Sequence, residues 1–328
     1  MKSLVRALMT GGTAVALTLA VAGCGSGTVA DPGADDTTAL SGKLSIDTAK
    51  GPVELDQPAT KVVSLEWSYT EELLALGVTP VGVADSESYG NWVSAEGSDL
   101  PEGVTDVGSR QEPSIEQIRS LQPDLIVSDK DRLTANFDQL NEIAPVVAFD
   151  PTAKPQLETM QKNFVELATA VGKQDKAKEV LGNLDAKVAD VKGRLDEAGK
   201  AGGTFALAQG YTSEGTPGIR MFTSDSFAAA LIESVGLTNG WTGQPDAWGM
   251  TTVGVEGLTK VAEDASFLYV ALKADDPFAG ALAKNSVWQD LPFVKDDKVR
   301  ALDPGTWVFG GPLSAMQILD ETAKAMTA

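Results

Sequence analysis

One amphipathic segment, flanked by two regions of like pattern, constrains this chain more than any other feature. Within residues 154–172, Leu157, Met160, Phe164, Leu167, Ala168 and Val171 recur at helical spacing and form one apolar stripe. Pro155 suits the first helical position, where its missing N–H has no intrahelical partner anyway. Gly172 suits the left-handed position that ends a helix. At ~1.5 Å per residue the segment spans roughly 25 Å, about the width of a small domain.

The flanking regions match each other in order. Ser114–Leu121 followed by Pro123–Val127 corresponds to Gly254–Val261 followed by Ala265–Val270. Further on, Phe137–Ile143 leading into Val147–Pro151 corresponds to Trp288–Val294 leading into Arg300–Pro304, and both stretches end in Asp-Pro. Chance is the alternative, since any helix–turn–strand unit has similar apolar spacing. Two matches in one order predict an N-terminal lobe over 43–153, a linking helix over 154–172 and a C-terminal lobe over 173–328.

The first 23 residues carry Lys2 and Arg6, then an uncharged run from Ala7 to Ala22, then small residues before Cys24. This is the pattern of a secretory signal peptide, and the run is short for a membrane span. A cysteine directly after small residues resembles the bacterial lipobox, which implies lipidation at Cys24. An ordinary secretory signal with an incidental cysteine is the alternative. Cys24 is the only cysteine, so no internal disulfide and no cysteine metal cluster is possible. Residues 24–42 are small, polar and acidic, the composition of a disordered tether reaching about 20–25 Å.

Composition then removes function classes. About 280 residues remain for the folded part, enough for two lobes with cores of their own. The formal charge of −20 opposes binding to nucleic acid or anionic lipid. The chain has no histidine, which removes histidine-based nucleophilic catalysis and the usual imidazole metal ligands. No GxGxxG, GxxxxGK[ST] or GxSxG pattern occurs. Catalysis by paired carboxylates stays possible, but no pair stands out.

In the first lobe, Lys61–Leu65, Val81–Ala84, Thr105–Gly108, Leu125–Val127 and Val146–Phe149 read as strands. Ser68 with Glu71 and Ser114 with Gln117 read as capping boxes that open helices. In the second lobe, Lys173–Gly199 reads as a charged surface helix. Thr204–Ala208, Gly218–Thr223, Phe267–Leu272 and Lys298–Leu302 read as strands, and Ser226–Val235 and Pro312–Thr327 as helices. Strands alternating with helices predict α/β lobes with mainly parallel sheets, and ligands of such sheets bind beyond the carboxyl ends of the strands. Trp67, Tyr89, Arg110 and Arg132 stand there in the first lobe; Arg220, Trp248 and Trp307 stand there in the second. The plain alternatives are that Trp67 packs under a loop and that the arginines are solvated.

Lys61–Asp85, with Val107–Glu116 and Pro123–Val127, resembles the iron–siderophore substrate-binding lipoproteins of ABC importers. The resemblance runs from about residue 45 to the C-terminus and is looser in the second lobe. It implies two lobes joined by one rigid helix with the ligand cleft between them, no catalysis, and a monomer anchored at the outer face of the bacterial cytoplasmic membrane. The pattern Glu66-Trp67-Ser68-Tyr69 is closest to the hydroxamate and citrate-hydroxamate subgroup. There the Fe(III)-siderophore brings its own chelation, so no cofactor and no protein metal ligand is expected. The arginines would meet ligand oxygens, and Trp67, Tyr89, Trp248 and Trp307 would form walls. Asp129 and Asp131 crowd Arg132. The resemblance also implies that Glu116 and Glu256, one per lobe, meet arginines of the membrane permease; stabilisation of a helix start is the plainer role for both. Haem or cobalamin binding remains an alternative, with Tyr69, Tyr89 and Tyr211 as candidate iron ligands. An exported α/β enzyme and a structural lipoprotein are the others.

Overall fold

The computed structural model describes residues 43–328. The expected signal peptide, Cys24 and the whole of the expected tether lie outside the described residues. Among the described residues no helix is long and apolar enough to cross a membrane.

The chain enters through a short antiparallel ribbon, β1 (Leu44–Ile46) and β2 (Val53–Leu55). It then builds β3 (Val62–Ser64), α1 (Trp67–Ala75), β4 (Gly82–Val83), α2 (Ser86–Trp92), β5 (Thr105–Asp106), α3 (Ile115–Leu121), β6 (Leu125–Asp129), α4 (Phe137–Asn141) and β7 (Val146–Phe149). The five strands from β3 to β7 form one parallel sheet in the order β5-β4-β3-β6-β7. Both faces are covered, as a parallel sheet requires. Val62 and Leu125 face a core with Phe164 and Leu167, whereas Val63 and Ile126 face Ile118 and Leu140.

The linking helix is α5 (Gln156–Ala170), followed by α6 (Gln174–Glu197). Pro155 sits one residue earlier than expected, at the N-cap with an extended backbone, and Gly172 is left-handed at φ 67°. The apolar stripe of α5 divides between two cores. Met160 packs with Leu207 and Leu268 of the second lobe, while Phe164, Leu167 and Ala168 pack with Val62 and Phe149 of the first. Burial of Phe164 alone stabilises by about 1.5–3 kcal/mol. The β1–β2 ribbon also lies on this helix, with Ile46 and Leu55 in the same core and Glu166 accepting from the N–H of Asp47.

The second lobe holds β8 (Thr204–Ser213), β9 (Thr216–Phe222), α7 (Phe227–Ser234), β10 (Thr238–Asn239), β11 (Met250–Val253), a 3-10 turn (Val255–Lys260), β12 (Ser266–Val270), α8 (Ser286–Asp290), α9 (Pro292–Lys295), β13 (Val299–Ala301) and α10 (Pro312–Thr327). Its sheet runs β11-β9-β8-β12-β13, with β10 beside β8. The neighbours β8-β12-β13 are parallel, as are β3-β6-β7, so the repeat seen in the sequence is a repeat of topology. The lobes part at the other edge. There β8 turns back into β9 as a long antiparallel hairpin, which makes this sheet mixed.

Candidate functional site

The carboxyl ends of strands from both lobes converge on one open cleft of about 500 Å³. Its wall carries Arg110 and Arg132 from the first lobe and Arg220 from the second, with Trp248, Trp307 and Phe309 as aromatic surface. Arg110 lies in the loop after β5, Arg132 just after β6 and Arg220 within β9. Arg220 donates to Gln209 Oε1 at 2.9 Å and its guanidinium lies 4.6 Å from the ring of Tyr211, which also lines the cleft.

The centre of the first-lobe wall is Glu66, which the sequence pattern places past a strand end without giving it a role of its own. It caps α1, with Oε1 accepting from the N–H of Trp67 at 2.9 Å. The same oxygen accepts from Arg110 at 2.8 Å, and Oε2 accepts from Arg132. Asp85, in a left-handed conformation at φ 52°, accepts from the Nε of Arg110 at 3.3 Å. Asp129 is 3.9 Å from Arg132 and accepts from the hydroxyl of Tyr69 at 2.8 Å. Thus Glu66 is the main partner of Arg132, Asp129 a more distant one, and no ion pair joins Asp131 to it among the described residues. A lone glutamate after a strand reads as a solvated charge. The two arginines that bind it arrive 44 and 66 positions later, so only the fold brings them together.

Two expected wall residues are support instead. Trp67 is 2% exposed, its indole N–H donates to the carbonyl of Ala84, and the Arg110 guanidinium covers its ring at 3.5 Å. The arginine therefore stands between Trp67 and the cleft. Tyr89 is 1% exposed, donates to the carbonyl of Ser98 and packs edge-on to Trp67 behind it. Tyr89 belongs to α2, a helix the strand–helix pattern did not reveal. The rings continue from Trp67 to Trp307 at 5.3 Å, to Phe309 at 5.1 Å and to Trp248 at 5.7 Å, a chain of edge-to-face contacts under the cleft from one lobe to the other. Of the tyrosines considered for haem iron, Tyr69 and Tyr89 are buried with their hydroxyls engaged; Tyr211 alone lines the cleft.

The expected capping box at Ser68 is also different. Ser68 lies inside α1 and donates to the carbonyl of Phe309. Glu71 reaches to the start of α10, where it accepts from the N–H groups of Ser314 and Gly311 and from the Ser314 hydroxyl. Ser114 does cap α3, accepting from the N–H of Gln117.

The acids beneath the cleft are perturbed. Burial, and after it the charge of Glu66, raise the Asp129 carboxyl to about 8 against the opposing influence of Tyr69 and Arg132. Burial also lifts Glu72 well above the carboxylate range, with Glu71 and Asp129 adding to the effect. Glu71 is raised by burial, partly offset by its bonds to Ser314 and Gly311.

Glu116 and Glu256 are exposed and lie outside the cleft wall. Glu116 opens α3 after β5, and Glu256 opens the 3-10 turn after β11. β11 is antiparallel to β9, which is antiparallel to β8, so both acids follow carboxyl ends of strands that run with the parallel set. Neither makes an ion pair among the described residues.

The profile of the family described as periplasmic binding protein matches residues 62–306. The probable siderophore-binding lipoprotein YfiY of Bacillus subtilis is 31% identical over 271 residues, 79% of each chain. The putative ABC transporter substrate-binding lipoprotein YhfQ of Bacillus subtilis is 29% identical over 297 residues, 87% of this chain and 89% of that one. Among solved structures, the siderophore-binding protein FhuD of Vibrio cholerae bound to Fe3+-Desferal superposes with a TM-score of 0.73 at 28% identity, covering 82% of this chain and 98% of that one.

Proposed function

The chain belongs to the periplasmic binding protein family, and from that premise we propose that it is an extracytoplasmic receptor for a ferric siderophore of the hydroxamate or citrate-hydroxamate type. The observation that carries this reading is the cleft itself. Three arginines from two lobes face one space over an aromatic floor that holds Trp307, Phe309 and Trp248. Guanidinium N–H groups suit the oxygens of an iron chelate, and the rings suit its carbon skeleton. The chain has no histidine, which agrees with a ligand that supplies its own iron coordination. YfiY and FhuD, by their descriptions, bind siderophores. Members of this family bind rather than catalyse, and we read this chain as a binding protein too.

The receptor would work as a monomer held to the outer face of the cytoplasmic membrane by lipid on Cys24, and hand its ligand to an ABC permease. Exposed Glu116 and Glu256, one per lobe at equivalent places in the repeat, support a two-point dock for that permease.

Titration of the purified folded domain with ferric tris-hydroxamates, followed by tryptophan fluorescence and native mass spectrometry, tests the ligand reading. Quenching and a 1:1 mass shift are expected, with much weaker binding of the iron-free siderophore, because the metal folds the ligand before it binds. Equal affinity for both forms, or no binding of any ferric siderophore, would overturn it.

A further inference from the structure

The cleft arginines are not free cations. Glu66 takes one guanidinium on each carboxylate oxygen, Arg110 on Oε1 and Arg132 on Oε2. Asp85 holds Arg110 a second time, through its backbone N–H at 3.0 Å and its Nε at 3.3 Å. Across the cleft, Arg220 is bonded to the neutral amide of Gln209, and Asp246 shares that wall. The three arginines on the cleft wall are thus matched by Glu66 and Asp246 on the wall and by Asp85 one contact behind, in a chain whose formal charge is −20. What the arginines keep is hydrogen-bond donors. Arg132 commits its Nε to Glu66 and Arg220 one NH1 bond to Gln209, which leaves N–H groups on both guanidiniums for a ligand. The wall offers donors without an excess of positive charge.

We infer that Glu66, assisted by Asp85, sets the charge of the ligand: the cleft takes ferric complexes with no net negative charge and discriminates against anionic, citrate-type complexes. This rests on the ferric-siderophore reading above and narrows it. Three hydroxamates, each singly negative, neutralise Fe(III), and their oxygens remain good acceptors for charge-compensated guanidinium N–H groups. A citrate-type chelate that keeps an uncompensated carboxylate brings it against Glu66. Glu66 is buried, so repulsion there is weakly screened by salt, and a fixed like charge is an effective means of rejection. Glu66 cannot readily turn away. It is tied to the N–H of Trp67, and the Arg110 guanidinium sits over the Trp67 ring at 3.5 Å.

The test compares a neutral ferric tris-hydroxamate with an anionic ferric citrate-bis-hydroxamate by fluorescence titration and calorimetry. The wild-type protein should prefer the neutral complex tenfold or more. Glu66→Gln should raise affinity for the anionic complex at least fivefold while changing the neutral one by less. Asp85→Asn, which leaves the Glu66 bridge in place, should shift the ratio the same way by a smaller factor, and it serves should Glu66→Gln fail to fold. Equal or better binding of the anionic complex by the wild type, or an unchanged ratio in both variants, overturns the inference. Binding of neither complex overturns the ligand reading itself, a different result.

Discussion

Glu71 on the first helix of the first lobe caps the last helix of the chain through Ser314: its Oε1 accepts from the Ser314 N–H at 2.7 Å, across 243 positions of sequence. The carboxyl lies at the positive end of the α10 dipole and answers N–H groups that have no partner inside that helix. Its removal would leave the N–H groups of Gly311 and Ser314 unpaired in a buried site. Glu71→Ala should therefore destabilise the apo protein by about 3 kcal/mol, read from denaturant midpoints. Ser314→Ala, which keeps the N–H bond and loses the hydroxyl, should cost about 1 kcal/mol. A Glu71→Ala variant as stable as the wild type would show that the cap is replaceable.

Arg110→Ala and Arg220→Ala should each weaken ferric-siderophore binding by tens-fold, as expected for a truncated charge-assisted contact. Their stabilities should differ. Arg220 bonds a neutral amide, so its loss should leave the thermal midpoint nearly unchanged. Arg110 shields Trp67 and compensates buried Glu66, so its loss should lower the midpoint by several degrees. Normal affinity in both variants would remove these residues from the site.

The raised carboxyls give a pH dependence of definite sign. Between the ordinary carboxylate range, about 4, and the folded value of about 8, Asp129 binds more protons in the folded chain than in the unfolded one. Stability therefore falls as pH rises through that window. Glu71 and Glu72, both raised, act in the same direction. Asp106 and Asp150 are lowered by hydrogen bonds from Ser86 and Lys130 that outweigh their burial, so their contribution is lost only on acidification below that window. At fixed moderate salt the melting temperature should decline from pH 5.5 to pH 8, and Asp129→Asn should flatten the decline. A melting temperature that rises with pH would contradict the assignment.

Glu116→Arg with Glu256→Arg should abolish uptake of a ferric siderophore by cells while purified protein keeps its affinity. Normal uptake by the double variant would reject docking and leave both acids as helix-start charges worth about 0.3–1 kcal/mol.

Cys24→Ser should release the protein to the medium or leave its signal peptide attached, with ligand affinity intact. Processed Cys24→Ser protein that stays on the membrane would point to a different anchor.

Elements with local punctuation were legible in the sequence. β7 and α10 lie where their apolar patterns indicate, and α5 is bounded by Pro155 and Gly172 as expected, with its start shifted by one residue. The repeat was legible because β3-β6-β7 and β8-β12-β13 share one order of elements. The hairpin β8–β9 was not, because its direction depends on a turn at Glu214 and Gly215, both at positive φ, inside a polar stretch without apolar alternation. The arginines were found because a charge near a strand end is conspicuous. The roles of Glu66 and Asp85, and the choice between wall and burial for Trp67, were not, because each depends on where the Arg110 side chain comes to rest. Ser68 and Glu71 have the spacing of a local cap, yet both are spent on the segment around Phe309 and Ser314.

The seam between α1 and residues 305–314 also bears on the order in which the protein is made. Trp307 and Phe309 sit on the cleft floor and are secured by Ser68, Ser94 and Glu71, residues translated more than 200 positions earlier. A nascent chain that has finished its first sheet still lacks the floor of its binding site and the partner of a buried acid. Such long-range closure is slow to form. Ligand competence thus arrives only with the final helix, and a ribosome that stalls before Trp307 yields a chain with arginines but no receptor.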